Sequence, residues 1–192
     1  MKKCLVLIAM LAMHAAIAQP WAKSYDYINE PSEGLIKVEK NKKIGFVDEK
    51  GKLVVPLLYD EAYAYSEGLA AVKMGSKWGY IDITGDMVIP VQYNEAYPFN
   101  DGLSKVSKGG KFGFINKKAQ EVISFKYPFA GDFSEGLAPV SNEKNLWGYI
   151  DKTGKEVISF RFNYAGTFNN GFASVIKNGK DINIDKSGKE SN

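Results

Sequence analysis

Four acids occupy one recurring place just before a Gly-Leu pair: Glu33, Glu67, Asp101 and Glu135. Two carboxylates held about 5 to 10 Å apart can hydrolyse a glycoside, one as acid and one as nucleophile or base. That chemistry needs two environments that push the two pKa values apart. These four acids recur every 34 residues in near-identical contexts, so their surroundings are alike. Turn formation accounts for them better than catalysis. A second set, Asp48, Asp82, Asp151 and Asp185, stands three residues before a glycine. Calcium takes six to eight oxygens, usually from clustered acids. Each of these stretches offers one dependable carboxylate, and Asn116 takes the place at a further copy. They too read as turn residues, so no metal site is expected.

The N-terminus narrows the chemistry further. Lys2 and Lys3 precede an apolar run from Leu5 to Ala12, and Ala16-Ile17-Ala18 has the small-x-small form of a cleavage site. This predicts a secretory signal peptide over 1–18, too short and wrongly flanked for a spanning helix. Export to the periplasm, the cell surface or the medium is the expected outcome. The single cysteine, Cys4, and the single histidine, His14, both lie in that segment. Cys4 also precedes the apolar run, where a lipoprotein anchor does not use it. The mature chain is then expected to hold no thiolate nucleophile, no imidazole base and no His or Cys metal ligand. Neither a catalytic residue nor a cofactor site is expected.

Removing Lys2 and Lys3 leaves 23 of the 25 basic residues against 22 acidic ones, with Arg161 the only arginine. Nucleic-acid surfaces need a clear positive excess and arginine forks, so that partner class is excluded. No apolar run in the mature part reaches membrane-spanning length.

These residues must be positioned by a repeat. Gly34, Gly68, Gly102, Gly136 and Gly171 follow one another at 34, 34, 34 and 35 residues. Gly45, Gly79, Gly113 and Gly148 keep the same step, as do Tyr59, Tyr93, Tyr127 and Phe162. One unit, "GLAAVKMGSKWGYIDITGDMVIPVQYNEAYPF", contains three short segments rich in β-branched and aromatic residues, each bounded by turn residues. That is a strand pattern, and no segment keeps helical spacing. The aromatic return "YNEAYPF" is an irregular or fourth short strand. The Asp-x-x-Gly stretches predict a type I turn with a glycine bulge closing a hairpin. Ala119 stands where the glycine is expected in the third copy. The Gly of Trp78-Gly79 is expected to let a neighbouring backbone or ring come close.

The expectation is an all-β single domain over 19–192. Its units run over about 34–67, 68–101, 102–135 and 136–170, with partial units 19–33 and 171–192. Tandem antiparallel hairpins of about 34 residues would form an open, twisted β-repeat array; the alternative is a small closed, five-unit, propeller-like ring. A 34-residue period is short for a four-stranded propeller blade, which favours the open array.

"KWGYIDITG" followed by "VIPVQYNEAYPFNDGLSKV" resembles the WG-containing β-repeat family of bacterial secreted and surface proteins, over about residues 25–188. Only Trp78-Gly79 and Trp147-Gly148 keep the literal pair; Ile44 and Phe112 replace the tryptophan, and Asp181-Ile182 loses both. The resemblance implies a β-rich repeat scaffold and brings no shared catalytic residues.

Trp78, Phe112, Trp147, Tyr80 and Tyr149 recur in phase, as core residues do. Residues that break the phase are better candidates for recognition: Trp21, Tyr63, Tyr97, Phe129, Tyr164 and Arg161. The expected function is an exported, non-catalytic protein-binding or scaffold module, with glycan as a second partner class. The rivals are a carboxylate-based polysaccharide hydrolase and an inhibitor or immunity-type partner of one cognate protein.

Overall fold

A computed structural model describes residues 20–191; the expected leader at 1–18 lies outside them. The chain forms two compact units, one ending at Gln92 and the other beginning at Tyr93. Among the described residues the one helical segment is a 3-10 turn at Pro20–Ser24; the rest of the regular structure is strand.

The first unit holds two four-stranded sheets. One runs β1 (Tyr27–Ser32), β2 (Leu35–Lys40), β3 (Lys43–Asp48) and β4 (Leu53–Tyr59), in chain order. The other runs β5 (Glu61–Ala62), β6 (Leu69–Met74), β7 (Lys77–Asp82) and β8 (Met87–Tyr93). In the second unit the third sheet has β9 (Glu95–Ala96), β10 (Leu103–Lys108), β11 (Lys111–Asn116) and β12 (Glu121–Tyr127). The fourth has β13 (Leu137–Ser141), β14 (Trp147–Asp151) and β15 (Glu156–Phe162), with an isolated bridge from Ala130 to Val140 in place of the short first strand. The fifth has β16 (Tyr164–Ala165), β17 (Phe172–Lys177), β18 (Lys180–Asp185) and β19 (Glu190–Ser191). Every paired strand is antiparallel to its neighbour, and no sheet closes on itself as a barrel.

The short fourth strand exists, but it belongs to the next sheet. Glu61 and Ala62 lie within the repeat at 34–67 in sequence, yet they pair with Lys73 and Val72 of β6. Because this strand is two residues long, a four-stranded meander fits within 34 residues. The period is long enough for a four-stranded sheet after all, against the expectation drawn from its length.

Middle strands are buried on both faces. In β7, Trp78, Gly79, Tyr80 and Ile81 are all buried. Alternation alone would leave one face wet; within each unit apolar clusters join neighbouring sheets. Phe46, Val55 and Tyr59 pack with Tyr65, Ala70, Val72 and Ile81 in the first unit. In the second unit, Phe114 and Ile123 pack with Val140 and Ile150, and Tyr149 and Phe162 pack with Phe168 and Val175. Ile36, Val38 and Val47 are covered by Trp21, Tyr25 and Ile28.

The repeat glycine is required by the third strand. A Cβ on Gly79 would lie 2.5 Å from the Ile89 carbonyl oxygen, and on Gly45 2.5 Å from that of Val55. The pairing slips here: Ile44 faces Tyr59 while Phe46 faces Val55, so the third strand bulges its backbone against the glycine. In the fifth sheet β19 pairs only Asn183 and Ile184, and Ile182 occupies the glycine's place. Ser174, Asp181 and Asn183 are exposed on that sheet, which explains the worn motif "KDINIDKSG".

The turns match their chemistry. Gly51 donates its N–H to the Asp48 carbonyl at 2.9 Å with φ +81°, and Asp48 Oδ1 accepts from the N–H groups of Lys50 and Lys52. Ala119 takes φ +60° in the copy that lacks the glycine.

Candidate interaction surface

The recurring acids come first, because they carried the catalytic question. Glu33, Glu67, Asp101 and Glu135 all have positive φ, 52° to 55°, and each precedes a glycine with φ above 80°. Two such residues in succession make a type I′ hairpin turn. The side chains do something the sequence did not indicate. Glu33 accepts the N–H of Gly68 at 2.8 Å, Asp101 that of Gly136 at 2.8 Å, and Glu135 that of Gly171 at 3.0 Å. Glu33, Asp101 and Glu135 thus tie their own turns to the same turn one repeat further on. Glu135 also pairs with Lys186 at 3.0 Å, and that hydrogen bond is the main reason its carboxyl lies below its ordinary value. The Asp-x-x-Gly acids are spent inside their turns: Asp82 Oδ1 accepts from the Thr84 hydroxyl and from the N–H groups of Thr84 and Asp86.

Register aligns a second set of side chains. In the second sheet Glu61, Lys73 and Trp78 are directly opposite one another on three strands. The third sheet places Glu95, Ser107 and Phe112 in that row. In the fourth, Phe129, Ser141 and Trp147 fill it: Ser141 donates its N–H to the Phe129 carbonyl, accepts the Phe129 N–H at 3.0 Å and pairs with Trp147. Tyr164, Ile176 and Asp181 fill it in the fifth.

The residues that fill the row together decide how its flanks meet. Lys73 ion-pairs with Glu61 and lays its ammonium 5.8 Å from the Trp78 ring centroid. Ser141 is small, so Phe129 and Trp147 meet across it, stacked at 22° with centroids 6.4 Å apart. Tyr164 contacts the same tryptophan at 5.9 Å. Phe129 is 54% exposed and Tyr164 50% exposed, while Trp147 is half-buried between them. Large apolar side chains grouped in the open mark an interaction surface.

The other expected residues lie elsewhere. Tyr63 packs on Trp78 at 5.5 Å and Tyr97 on Phe112 at 6.4 Å. The Lys105 ammonium sits 3.8 Å from the Tyr97 centroid and 6.0 Å from that of Phe112, and pairs with Asp132 at 3.2 Å. Arg161 donates to the Gly188 carbonyl at 2.7 Å and lies over Phe162. Trp21 covers Gly51. Two corrections concern the in-phase aromatics. Tyr80, Tyr149 and Trp78 are buried, as core residues are, but Phe112 and Trp147 are only half-buried. Trp147 therefore joins the surface group that sequence phase had placed it outside.

A family profile described as the WG containing repeat matches residues 23–43, 44–78, 78–112, 112–145 and 147–180. The chain belongs to the WG-containing repeat family. Solved structures share its fold at low identity. The computationally designed Ika8 protein is 12% identical with a TM-score of 0.56, covering 84% of this chain and 58% of that one. Kluyveromyces lactis Hsv2 is 12% identical with a TM-score of 0.55 over 83% and 59%. BamB from Moraxella catarrhalis is 11% identical with a TM-score of 0.50 over 84% and 58%. The chain spans less than two thirds of the length of these β-propeller and β-repeat structures. The search among curated proteins found no match.

Within the WG repeats, then, the position of the motif tryptophan is Ile44, Trp78, Phe112, Trp147 and Asp181. The surface group is built where the fourth copy departs from the second and third: Phe129 stands for Glu61 and Glu95, while Ser141 repeats Ser107 and differs only from Lys73. A groove of about 290 Å³ between the third and fourth sheets is lined by Lys126 and Tyr127 of β12 and by Glu143, Ile150, Glu156 and Phe160.

Proposed function

We propose that this WG-repeat chain is an exported, non-catalytic module that binds a protein partner through Phe129, Trp147 and Tyr164. The observation that carries the proposal is the half-exposed aromatic group that Phe129 and Tyr164 make with Trp147, at the repeat position that Glu61 and Glu95 hold in the second and third sheets. Aromatic anchors supply much of the energy in protein interfaces. Export is supported by the basic start, apolar run and Ala16-Ile17-Ala18.

The hydrolase alternative finds less support. A general acid needs a raised pKa. Every carboxyl with a resolved shift is held below its ordinary value instead: Asp60, Asp82, Glu135, Asp151, Asp185 and Glu190. In the groove, Glu143 is largely exposed and pairs with Lys111 at 2.6 Å.

The test compares what wild type and a Phe129→Ala/Tyr164→Ala variant retain from envelope and culture-fluid proteins of the expressing cells. A protein held by wild type and released by the folded variant supports the proposal. Equal retention by both overturns it. N-terminal sequencing of the exported form should read from Gln19; a mature chain that still carries Cys4 contradicts export by cleavage.

A further inference from the structure

Three copies of the repeat place an aromatic ring at the motif tryptophan position: Trp78, Phe112 and Trp147. Two of the three hold a lysine of the same chain over the ring. Lys73 Nζ lies 5.8 Å from the Trp78 centroid, and Lys105 Nζ 6.0 Å from that of Phe112. In both, a second aromatic completes the site, Tyr63 for Trp78 and Tyr97 for Phe112. An ammonium over an aromatic face is attracted by the ring quadrupole, most strongly by tryptophan.

The fourth copy keeps the rings and lacks the lysines. Ser141 stands at the position of Lys73, and Pro139 at that of Lys105. Phe129 and Tyr164 both pack on Trp147, where one ring packs on Trp78 and one on Phe112. Among the described residues no cation lies over Trp147. The adjoining row of the fifth sheet ends in an exposed carboxylate, Asp181, beyond Tyr164 and Ile176.

We infer that the site formed by Phe129, Trp147 and Tyr164 takes the side-chain ammonium of a lysine presented by a protein partner. The inference rests on the protein-binding reading above and names the group on the partner that it recognises. The occupant follows from the sister sites: each presents a ring of the same repeat position to a lysine, and the fourth presents a larger aromatic surface to none. A partner lysine would complete the fourth site from outside, as Lys73 and Lys105 complete the second and third from within. Contact with the alkyl stem adds to the attraction, because lysine lays its methylenes along apolar surface while the charge stays hydrated.

The experiment titrates the full mature chain with a short lysine-containing peptide, followed by the NMR resonance of the Trp147 indole N–H. Two control peptides replace that lysine by serine or by norleucine, which keeps the stem and removes the charge. A vesicle of phosphatidylcholine serves as a separate arm, since a choline headgroup shares the ammonium chemistry. The variant Phe129→Glu/Ser141→Lys rebuilds the second sheet's row in the fourth and supplies an internal lysine. The expected result is a saturable shift of the Trp147 resonance with the lysine peptide, with a dissociation constant on the order of 1 mM or tighter. The serine and norleucine peptides should bind at least about tenfold more weakly, and the folded variant should lose the shift. No saturable shift, equal shifts with norleucine, an unchanged response in the variant, or a response to vesicles alone each overturns the inference. If the partner-retention test depends on Phe129 and Tyr164 while the lysine peptide does not bind, the surface survives and only its ligand chemistry falls.

Discussion

The carboxylate of Glu33 accepts the backbone N–H of Gly68 at 2.8 Å, 35 residues along the chain. Asp101 does the same to Gly136. These acids join successive hairpin turns, and that is a structural duty. Asp101→Ala should remove an exposed charge-assisted hydrogen bond and cost about 1 kcal/mol by urea denaturation. Asp101→Asn should cost less, since its amide oxygen still accepts and asparagine tolerates positive φ. Equal stability of Asp101→Ala and wild type would show that the link contributes nothing.

Gly79 tests the close approach of the third strand. A Cβ there meets backbone, which cannot swing aside as a side chain can. Gly79→Ala should therefore cost about 1–3 kcal/mol through backbone displacement. The control is Gly75→Asn: open space surrounds Gly75 at φ +60°, and asparagine already occupies the equivalent places at Asn41 and Asn178. Comparable losses in the two variants would contradict the packing account.

Ala119 tests the turn chemistry in the opposite direction. It holds φ +60° where Gly51, Gly85, Gly154 and Gly188 hold 81° to 91°. Left-handed backbone costs an L-residue roughly 1–2 kcal/mol, partly offset by the greater unfolded-state entropy of glycine. Ala119→Gly should raise stability by about 0.5–1 kcal/mol. A loss of stability would mean that the strain is not there.

Acid should weaken the fold through the turn carboxylates. Asp82, Asp151 and Asp185 lie below their usual 3.8, chiefly through hydrogen bonds from Thr84, Thr153 and Ser187. Glu135 lies below 4.5 through Lys186. A carboxyl with a lower pKa folded than unfolded contributes stability above the unfolded value and loses it as pH falls through the folded one. The urea midpoint should fall from about pH 4.5 downward. Tyr65 and Tyr149 are raised by burial, so their contribution is present below pH 10 and is lost as pH rises above it. A midpoint that rises on acidification from pH 5 to pH 3 would contradict the assignment.

Much of this architecture was legible because each repeat repeats its constraints. The Asp-x-x-Gly turns, the glycine of the motif and the strand lengths follow from local chemistry, and four copies state each of the two motifs. What stayed hidden depends on cross-strand neighbours. Trp78 and Trp147 hold one repeat position, yet one is buried and the other half-buried. The difference lies at Lys73 against Ser141 and Glu61 against Phe129, which only the register brings beside the tryptophan. Likewise "EA" reads as part of one repeat, but its hydrogen bonds belong to the next sheet. Phe129 and Tyr164 were legible as residues out of phase; that they share Trp147 was not.

The central claim is that this protein binds rather than turns over its partner. The most direct measurement is the affinity for the retained partner of Phe129→Ala, Tyr164→Ala, Glu33→Gln and Glu135→Gln, with each variant also screened for release of sugar from a polysaccharide panel. Loss of an aromatic anchor should weaken binding by about 2 kcal/mol, roughly thirtyfold, and the glutamine variants should bind as wild type does. No variant should differ from wild type in sugar release. Turnover by wild type that one glutamine substitution abolishes, in a chain that still folds, would contradict the account and leave a glycosidase in its place.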